Sequence, residues 1–358
     1  MKSNLLQLVK RLILRATICI LALGPASTLI AETSPYDQKN ETLVVTLEEG
    51  SSLEDYLAYA ALHNAGLQAA FERWKAELER TLQTGVLPDP KFNYGYFLQS
   101  VETRVGAQNQ RFGISQTFPW LGKLKLGKEA SMAIANMAEQ QYQSTKLKLF
   151  DEVKQAFFDY YYLGKSIEIT AENVVLLKEF EQVVRSKYES GSALYADLLK
   201  AQVELDTQAD RLQTLKEQAP PHVARLNAAL SRPPQAPIPV PTEFLSYEYA
   251  LDSEYLKTRL DLVNPDLRTV DYLAEKEQVG VRLAKKEYYP NVTFGLDFID
   301  TKPSPMSGIA DNGKDAVMLG FSANLPIWRK KLKAGVSESE RRHLAALRTR
   351  VDLENQLA

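Results

Sequence analysis

Pro88-Asp89-Pro90-Lys91-Phe92-Asn93-Tyr94-Gly95-Tyr96-Phe97-Leu98-Gln99 is the stretch on which the reading of this chain turns. After the prolines, Phe92, Tyr94, Tyr96 and Leu98 alternate with Lys91, Asn93, Gly95 and Gln99. A period of two puts apolar side chains on one face of a β-strand and polar ones on the other. A partner run follows, with Phe112, Ile114 and Phe118 set against Arg111, Gly113, Ser115 and Thr117. The spacing predicts strands over 91–99 and 110–118 around a polar loop at 100–109. Two hundred residues on, the pattern returns. Val292, Phe294, Leu296 and Phe298 alternate with Asn291, Thr293, Gly295 and Asp297, and Val317, Leu319, Phe321, Ala323 and Leu325 with Met318, Gly320, Ser322 and Asn324. Strands are expected over 291–299 and 316–325, with a polar loop at 301–315. Runs of about ten residues with this pattern fit tilted strands crossing a bilayer, apolar face to lipid and polar face to a lumen. Packing of soluble amphipathic hairpins on a helical core is the structural alternative for any one strand. Four strands cannot close a membrane barrel, since the smallest need about eight, so the bilayer reading requires several copies of the chain.

The strands sit inside a larger duplication. His63-Asn64-Ala65-Gly66-Leu67-Gln68 parallels Val263-Asn264-Pro265-Asp266-Leu267-Arg268, and Pro88-Asp89-Pro90-Lys91-Phe92 parallels Tyr288-Tyr289-Pro290-Asn291-Val292, both at an offset of 200. Phe118-Pro119-Trp120-Leu121-Gly122-Lys123 parallels Leu325-Pro326-Ile327-Trp328-Arg329-Lys330 at an offset of 207. Three landmarks in one order identify an internal repeat. Each copy opens with a helix whose seam alternates steps of four and three: Leu53, Leu57, Ala60, Asn64, Leu67, Phe71, Trp74 and Leu78, then Leu256, Leu260, Val263, Leu267, Val270, Ala274, Val281, Ala284 and Tyr288. Such a 3.5-residue period buries a narrow stripe against neighbouring helices, as in coiled coils. From Gly122 to about Tyr188 there is no proline, and a seam runs Val153, Ala156, Tyr160, Leu163, Ile167, Thr170, Val174, Leu177, Glu181, Val184, Tyr188. A helix of that length reaches about 100 Å. Gly191 and Ser192 break it, and a return helix follows through Leu194, Leu198, Ala201, Leu205, Leu212 and Leu215 until Pro220-Pro221 kink or end it. Trp120 and Trp328 close their hairpins at the strand-to-helix junction, a place that suits either a membrane surface or packing at a bend.

Composition narrows the function classes. The 358 residues carry 43 basic and 45 acidic side chains, so no global field points to nucleic acid. Lys2, Lys10, Arg11 and Arg15 precede a short apolar stretch, Ala16 to Leu23, and small residues before Ala31; this reads as a secretory signal, with a retained N-terminal anchor as the alternative. The one cysteine, Cys19, lies inside it, which removes disulfide and thiol chemistry from the mature chain. His63, His222 and His343 lack metal-ligand spacing, and Met132 and Met137 do not share a helical face. No GxSxG, phosphate loop or dinucleotide fingerprint is present. Glu179 with Glu181, and Asp151 with Glu152, read as solvated helix faces, and Tyr160-Tyr161-Tyr162 as packing on different sides. No enzyme constellation, metal site or cofactor is expected.

Phe118-Pro119-Trp120-Leu121-Gly122-Lys123-Leu124, Tyr188-Glu189-Ser190-Gly191, Asp197-Leu198-Leu199-Lys200-Ala201-Gln202-Val203-Glu204-Leu205 and Leu226-Asn227-Ala228-Ala229-Leu230-Ser231-Arg232-Pro233-Pro234 together resemble the TolC family of outer-membrane efflux proteins, nearest its heavy-metal (CzcC/CusC-like) branch. The likeness covers residues 50 to 358. It implies a mainly α fold with a β-barrel contribution, in which long coiled-coil helices join two transmembrane strands per repeat, and a homotrimer whose twelve strands form one barrel in outer-membrane lipid. It also implies a periplasmic membrane-fusion adaptor and an inner-membrane pump, often of the resistance-nodulation-division class. By the same resemblance the hairpin tip at Tyr188, Gly191 and Asp197 meets the adaptor, though Gly191 also reads as a turn and Asp197 as a helix cap. The polar strand positions Asn93, Arg111, Thr293 and Asp297 would face the lumen.

The expected organisation is a signal at 1–31, an extended segment at 32–50, a first copy at 51–230 with its helical hairpin at 122–230, a proline-rich linker at 231–250 and a second copy at 251–358. Measured against the first copy, the second is short by roughly 70 residues of helix, so a C-terminal truncation relative to the family is expected. The leading functional expectation is a passive exit duct of the outer membrane for metal ions or small toxic solutes, its helical part in the periplasm. The alternative is a pore-free periplasmic coiled-coil adaptor or scaffold.

Overall fold

The computed structural model describes residues 47, 48, 50–242 and 252–357. The expected signal with Cys19, and the end of the linker, lie outside the described residues. In chain order the elements are α1 (Leu53–His63), α2 (Ala65–Thr84), β1 (Lys91–Thr103), β2 (Gly106–Phe118), α3 (Lys123–Glu189), α4 (Tyr195–Glu217), α5 (Ala219–Ala229), α6 (Ser253–Val263), α7 (Pro265–Lys286), β3 (Val292–Thr301), β4 (Ala316–Ala323) and α8 (Arg329–Leu357).

The opening helix of each copy is two helices, not one. Asn64 and Asn264 leave helical geometry with ψ of 115° and 120°. Each asparagine ends one helix by donating its backbone N–H to the carbonyl four residues back, Ala60 or Leu260. Each also starts the next helix: the Asn64 Oδ1 accepts from the Leu67 N–H at 2.9 Å, and the Asn264 Oδ1 from Asp266 and Leu267 at 2.9 and 3.0 Å. An asparagine side chain satisfies first-turn amides that have no partner within the helix, which is why it caps so well. The seam passes through these breaks unchanged in copy one, where Ala60 and Leu67 are buried, whereas Leu256 and Val263 on α6 stay exposed.

Helix α3 runs 67 residues without a break, about 100 Å at 1.5 Å per residue. Its expected stripe is buried at Val153, Ala156, Tyr160, Leu163, Thr170, Glu181 and Val184. The prolines fall in the first turn of α5, where a missing N–H removes no hydrogen bond, so the return path breaks at Gln218 into α4 and α5. Tyr160 is buried and Tyr162 exposed, as consecutive positions on a helix should be.

One core cluster gathers where α1 and α5 pack on α3: Tyr56, Ala60, Leu67, Leu149, Val153, Ala156, Phe157, Tyr160, Leu226, Leu230 and Ile238. Tyr56 meets Phe157 edge-on at 5.2 Å between ring centroids, and burial pushes its phenol up to about 12. Ile238 belongs to the stretch read as a proline-rich linker. Over 231–242 that stretch packs on the helices: Asn227, fully buried, donates its Nδ2 to the carbonyls of Pro234 and Ala236, Tyr160 donates its hydroxyl to the Ile238 carbonyl, and the run lies on α3 beside Gly164. A Cβ at Gly164 would stand 2.2 Å from Val240 Cγ1, so only glycine admits the strap there.

The strands form one antiparallel sheet in the order β1-β2-β3-β4. The helices continue it: α2 leads into β1, β2 into α3, α7 into β3 and β4 into α8, while α2 packs on α3, α3 on α7 and α7 on α8. Strand order and helix order coincide, giving one wall four elements wide from sheet to helices. The first hairpin is longer than the sequence suggested. Its strands run on to Thr103 and back from Gly106, so the expected loop at 100–109 shrinks to a turn, whereas β4 ends at Ala323, short of 325.

Candidate functional site

The sheet register sorts its side chains into two chemistries. Across the strands Phe92 faces Ile114, Ile114 faces Leu296 and Leu296 faces Leu319. The next row is Tyr94, Phe112, Phe298 and Val317, and another pairs Phe294 with Phe321. These rows lie open, with Phe92 65%, Leu319 78% and Phe321 66% exposed. Contiguous apolar surface of this kind marks a membrane or protein contact, because water alone disfavours it. Across neighbouring strands Tyr94 meets Phe112 tilted at 5.3 Å between ring centroids, and Phe118–Phe294 and Phe294–Phe321 meet edge-on at 6.0 and 5.6 Å, the cross-strand contacts that fix a register.

The opposite face brings together all four polar strand positions singled out above. Asn93 pairs with Gly113, Gly113 with Asp297, and Thr293 with Thr117, whose hydroxyl lies 2.8 Å from its own. Arg111 grips the Asp297 carboxylate with two bonds, Nε to Oδ1 at 3.0 Å and Nη2 to Oδ2 at 2.9 Å. The pair is diagonal: Asp297 stands opposite Gly113 and reaches across it. A Cβ on residue 113 would sit 2.3 Å from Asp297 Oδ1, so glycine clears the path. Arg111 remains about half exposed while Asp297 is largely covered. Alternation alone puts both residues on the polar face; their pairing depends on a register between strands 186 residues apart, and the sequence signal for it was the glycine between them.

At the junction of sheet and helices the two tryptophans differ. Trp120 stacks flat on Tyr289, 5.0 Å between centroids, and its backbone N–H donates to Asn291 Oδ1; Trp328 is 73% exposed. At the same junction sits a residue without a role in the sequence reading. Lys123 is buried at the first position of α3, donating Nζ to Asn291 Oδ1 at 3.1 Å and pairing with Glu287 at 3.2 Å. It ties the start of copy one's long helix to the foot of copy two's first strand.

At the hairpin tip Tyr188 lies in the last turn of α3, Gly191 in the connection and Asp197 in the first turn of α4. Gly191 has φ +77°, and the Ser192 N–H donates to the Lys187 carbonyl at 2.7 Å, a left-handed helix stop. Tyr188 and Tyr195 face each other across it at 5.8 Å. Asp197 is not the cap: Leu194 holds that position without a side-chain bond, and Asp197 lies in the first turn, where a negative charge suits the helix dipole. Glu181 corrects another reading. It is not on a solvated face but buried between α3 and α4, accepting from Arg185 Nε at 3.1 Å and from Gln202 Nε2 at 3.2 Å. The hydrogen bonds from Arg185 hold its carboxyl below the usual carboxylate range.

Among the described residues no group of His, Cys, Asp and Glu side chains is arranged to hold a metal ion, and His343 has its Nδ1 3.0 Å from the Ala274 carbonyl. No described helix is long and apolar enough to cross a membrane. The open sheet therefore carries the candidate site.

A family model described as outer membrane efflux protein matches residues 59–232. A search of curated proteins by sequence gives no match. Solved structures share the fold. The outer-membrane channel OprN is 18% identical, with a TM-score of 0.67 over 84% of this chain and 70% of that one. The outer membrane protein VceC of Vibrio cholerae is 17% identical, with a TM-score of 0.64 over 85% and 75%. CusC, described for its transmembrane channel formation, is 14% identical, with a TM-score of 0.68 over 85% and 72%. The match to the outer membrane efflux protein family falls on the first repeat, and the fold along the wall is one that these solved channels share.

Proposed function

We propose that the chain is the outer-membrane component of a tripartite efflux system, a passive duct built from three copies through which metal ions or small toxic solutes leave the cell. The driving force comes from an inner-membrane pump of the resistance-nodulation-division class, reached through a periplasmic membrane-fusion adaptor. The sheet lies in the outer membrane with its apolar rows against lipid, and the helices stand in the periplasm. Asn93, Arg111, Thr293 and Asp297 line the lumen; Trp120 and Trp328 lie at the membrane surface; Tyr188, Gly191 and Asp197 meet the adaptor. The metal-ion cargo rests on the resemblance to the heavy-metal branch alone. The chain supplies a hydrated path and performs no catalysis.

One observation carries this reading: a single sheet whose one face is exposed aromatic and aliphatic rows and whose other face is a hydrogen-bonded polar surface, joined strand by strand to a helical wall. A pore-free adaptor or scaffold would leave those rows in water. The test is to purify the full chain from membranes and reconstitute it in a planar bilayer. Stepwise ion conductance from an oligomer extracted only by detergent is the expected result. Recovery in the salt-washed soluble fraction, or an inert bilayer, refutes the duct.

A further inference from the structure

The foot of the second hairpin sets apolar and cationic side chains side by side. Leu325, Ile327 and Trp328 lie exposed, and Arg329, Lys330, Lys331 and Lys333 follow on the first turns of α8, exposed as well. Ile327, Trp328, Arg329, Lys330 and Lys331 line one open groove. We propose that this groove is a headgroup site for an anionic phospholipid, its phosphate on the cations and its glycerol and first acyl carbons along Ile327 and Trp328. The proposal rests on the duct reading, which sets the sheet in the outer membrane and this junction at the periplasmic leaflet.

Charge balance separates this junction from its counterpart in the first copy. There Lys123 is buried against Glu287 and Asn291, and Glu129 holds Arg282 at 2.8 Å and Lys125 at 4.0 Å. In the second copy the repeat puts Val336 at the place of Glu129, and no acid occurs from Arg329 to Ser337. The next two acids are engaged, Glu338 with Arg342 at 2.6 Å and Glu340 with Lys285 at 3.9 Å. Among the described residues the four cations therefore have no acidic partner; Arg329 has only the face of Tyr288, 5.6 Å from its ring centroid. Their place is unfavourable in itself, because cations in a first turn oppose the positive end of the helix dipole. The other end of the sheet carries both signs, Arg104, Lys302 and Lys314 with Glu102, Asp311 and Asp315.

The exposure belongs to the position and not to a free border. Trp328 and Arg329 correspond to Leu121 and Gly122, which lie exposed in the first copy, Leu121 by 82%, although α3 has α2 on one side and α7 on the other. A neighbour packed on α8 would leave these two residues outward as well. Leu325 continues the alternation of Leu319, Phe321 and Ala323, so the groove is continuous with the apolar face of β4. An aromatic ring with cations just beyond it matches the headgroup region of a bilayer: the ring sits at the interface, and each nearby Lys or Arg attracts anionic lipid. A soluble acidic partner would match the cations alone.

Tryptophan fluorescence reads the site, since the difference between the parent and Trp328→Phe isolates Trp328. The full chain is reconstituted in phosphatidylcholine vesicles with a minor share of brominated lipid, either phosphatidylglycerol or phosphatidylcholine. Brominated phosphatidylglycerol should quench Trp328 as though enriched at least about 5-fold, the factor that one surface cation supplies. R329Q/K330Q/K331Q/K333Q should bring the two lipids level, with quenching by brominated phosphatidylcholine retained as the sign of insertion. K302Q/K314Q at the far end should keep the enrichment, as should excess inorganic phosphate at constant ionic strength. Equal quenching by both lipids in the parent overturns the headgroup site and leaves the duct reading intact. Enrichment that survives the four substitutions, that phosphate abolishes, or that K302Q/K314Q loses equally overturns a lipid site on these cations. Quenching by neither lipid overturns the site alone if the vesicles conduct ions, and both readings if they do not.

Discussion

Replacing Asn64 and Asn264 by alanine, one at a time, compares the two copies at their most similar point. At Asn264 the loss is a helix cap, two acceptor contacts to the amides of Asp266 and Leu267, and caps of this kind contribute about 1 kcal/mol. Pro265 still disfavours helical geometry at residue 264, so the break between α6 and α7 survives. Asn64 loses its cap to Leu67 and also the bond from its Nδ2 to the Ala229 carbonyl at 3.0 Å, which ties the break to the end of α5. A partly buried hydrogen bond adds roughly another 1 kcal/mol. No proline follows; what is left at the break is a long bond from the Ala65 N–H to Ser231 Oγ at 3.4 Å and one from Gln68 Nε2 to the Leu62 carbonyl at 2.7 Å. Amide exchange followed by mass spectrometry reads each effect locally. Exchange in the first turn of α7 should accelerate about 5-fold in Asn264→Ala, and in the first turn of α2 about 30-fold in Asn64→Ala, the factors that 1 and 2 kcal/mol imply. Carboxyl-terminal α5 amides should quicken only in Asn64→Ala. Equal acceleration at the two sites, or a silent α5, would refute the reasoning that one shared residue does two jobs in copy one and one in copy two.

Gly113→Ala should displace the Asp297 carboxylate and uncover Arg111, so its reversal potential in a salt gradient should move toward anion preference, as in Asp297→Ala; opposite shifts would separate the two residues. Gly164→Ala drives a methyl into Val240 and should destabilise the chain by about 1–3 kcal/mol, seen as a lowered thermal midpoint and recovered in part by adding Val240→Ala. Glu181 has a carboxyl held below its ordinary value of 4.5 by Arg185. Its contribution is therefore present above that value and lost as pH falls through the lowered one. Protease cleavage near the hairpin tip should rise below pH 4.5 in the parent and be already raised at pH 7 in Glu181→Ala; an unchanged pH profile in that variant would rule the carboxylate out as the cause.

The duplication was legible because its landmarks sit where physics leaves few choices: caps, strand starts and strand-to-helix junctions. Asn64 and Asn264 were matched in sequence, yet a seam drawn through them hid the breaks, although Pro265 argued for an interruption. The proline run after Leu230 read as a spacer by composition. What composition could not weigh was Ile238, an apolar residue with a core site beside Tyr160 waiting for it. Alternation assigned the faces of all four strands but not their extent, since pairing with a neighbour carries β1 past the polar Gln99 and Ser100. Glu181 and Lys123 were invisible for one shared reason. A buried charge is sensible only beside its partners and its cover: Lys123 meets Glu287 and Asn291 from the second copy, and Glu181, paired to Arg185 one turn away, is covered by α4 with Gln202.

Side-chain volume adds an argument about the sheet that hydropathy does not contain. Gly95, Gly113, Gly295 and Gly320 all fall on the polar face, each aligned with a polar or glycine neighbour, while the rows opposite carry Phe, Tyr, Leu and Ile. A sheet with small residues on one face and large ones on the other relieves crowding by curving, with the small face concave; barrels use glycine in this way to turn. The concave face of a closed barrel is its lumen. In the proposed duct, such curvature would direct Asn93, Arg111, Thr293 and Asp297 inward independently of their polarity and send the aromatic rows outward. It would also favour the diagonal salt bridge. On a concave surface, side chains from adjacent strands converge, so Asp297 can cross the gap at Gly113 to reach Arg111. On the convex face the same two positions would splay apart.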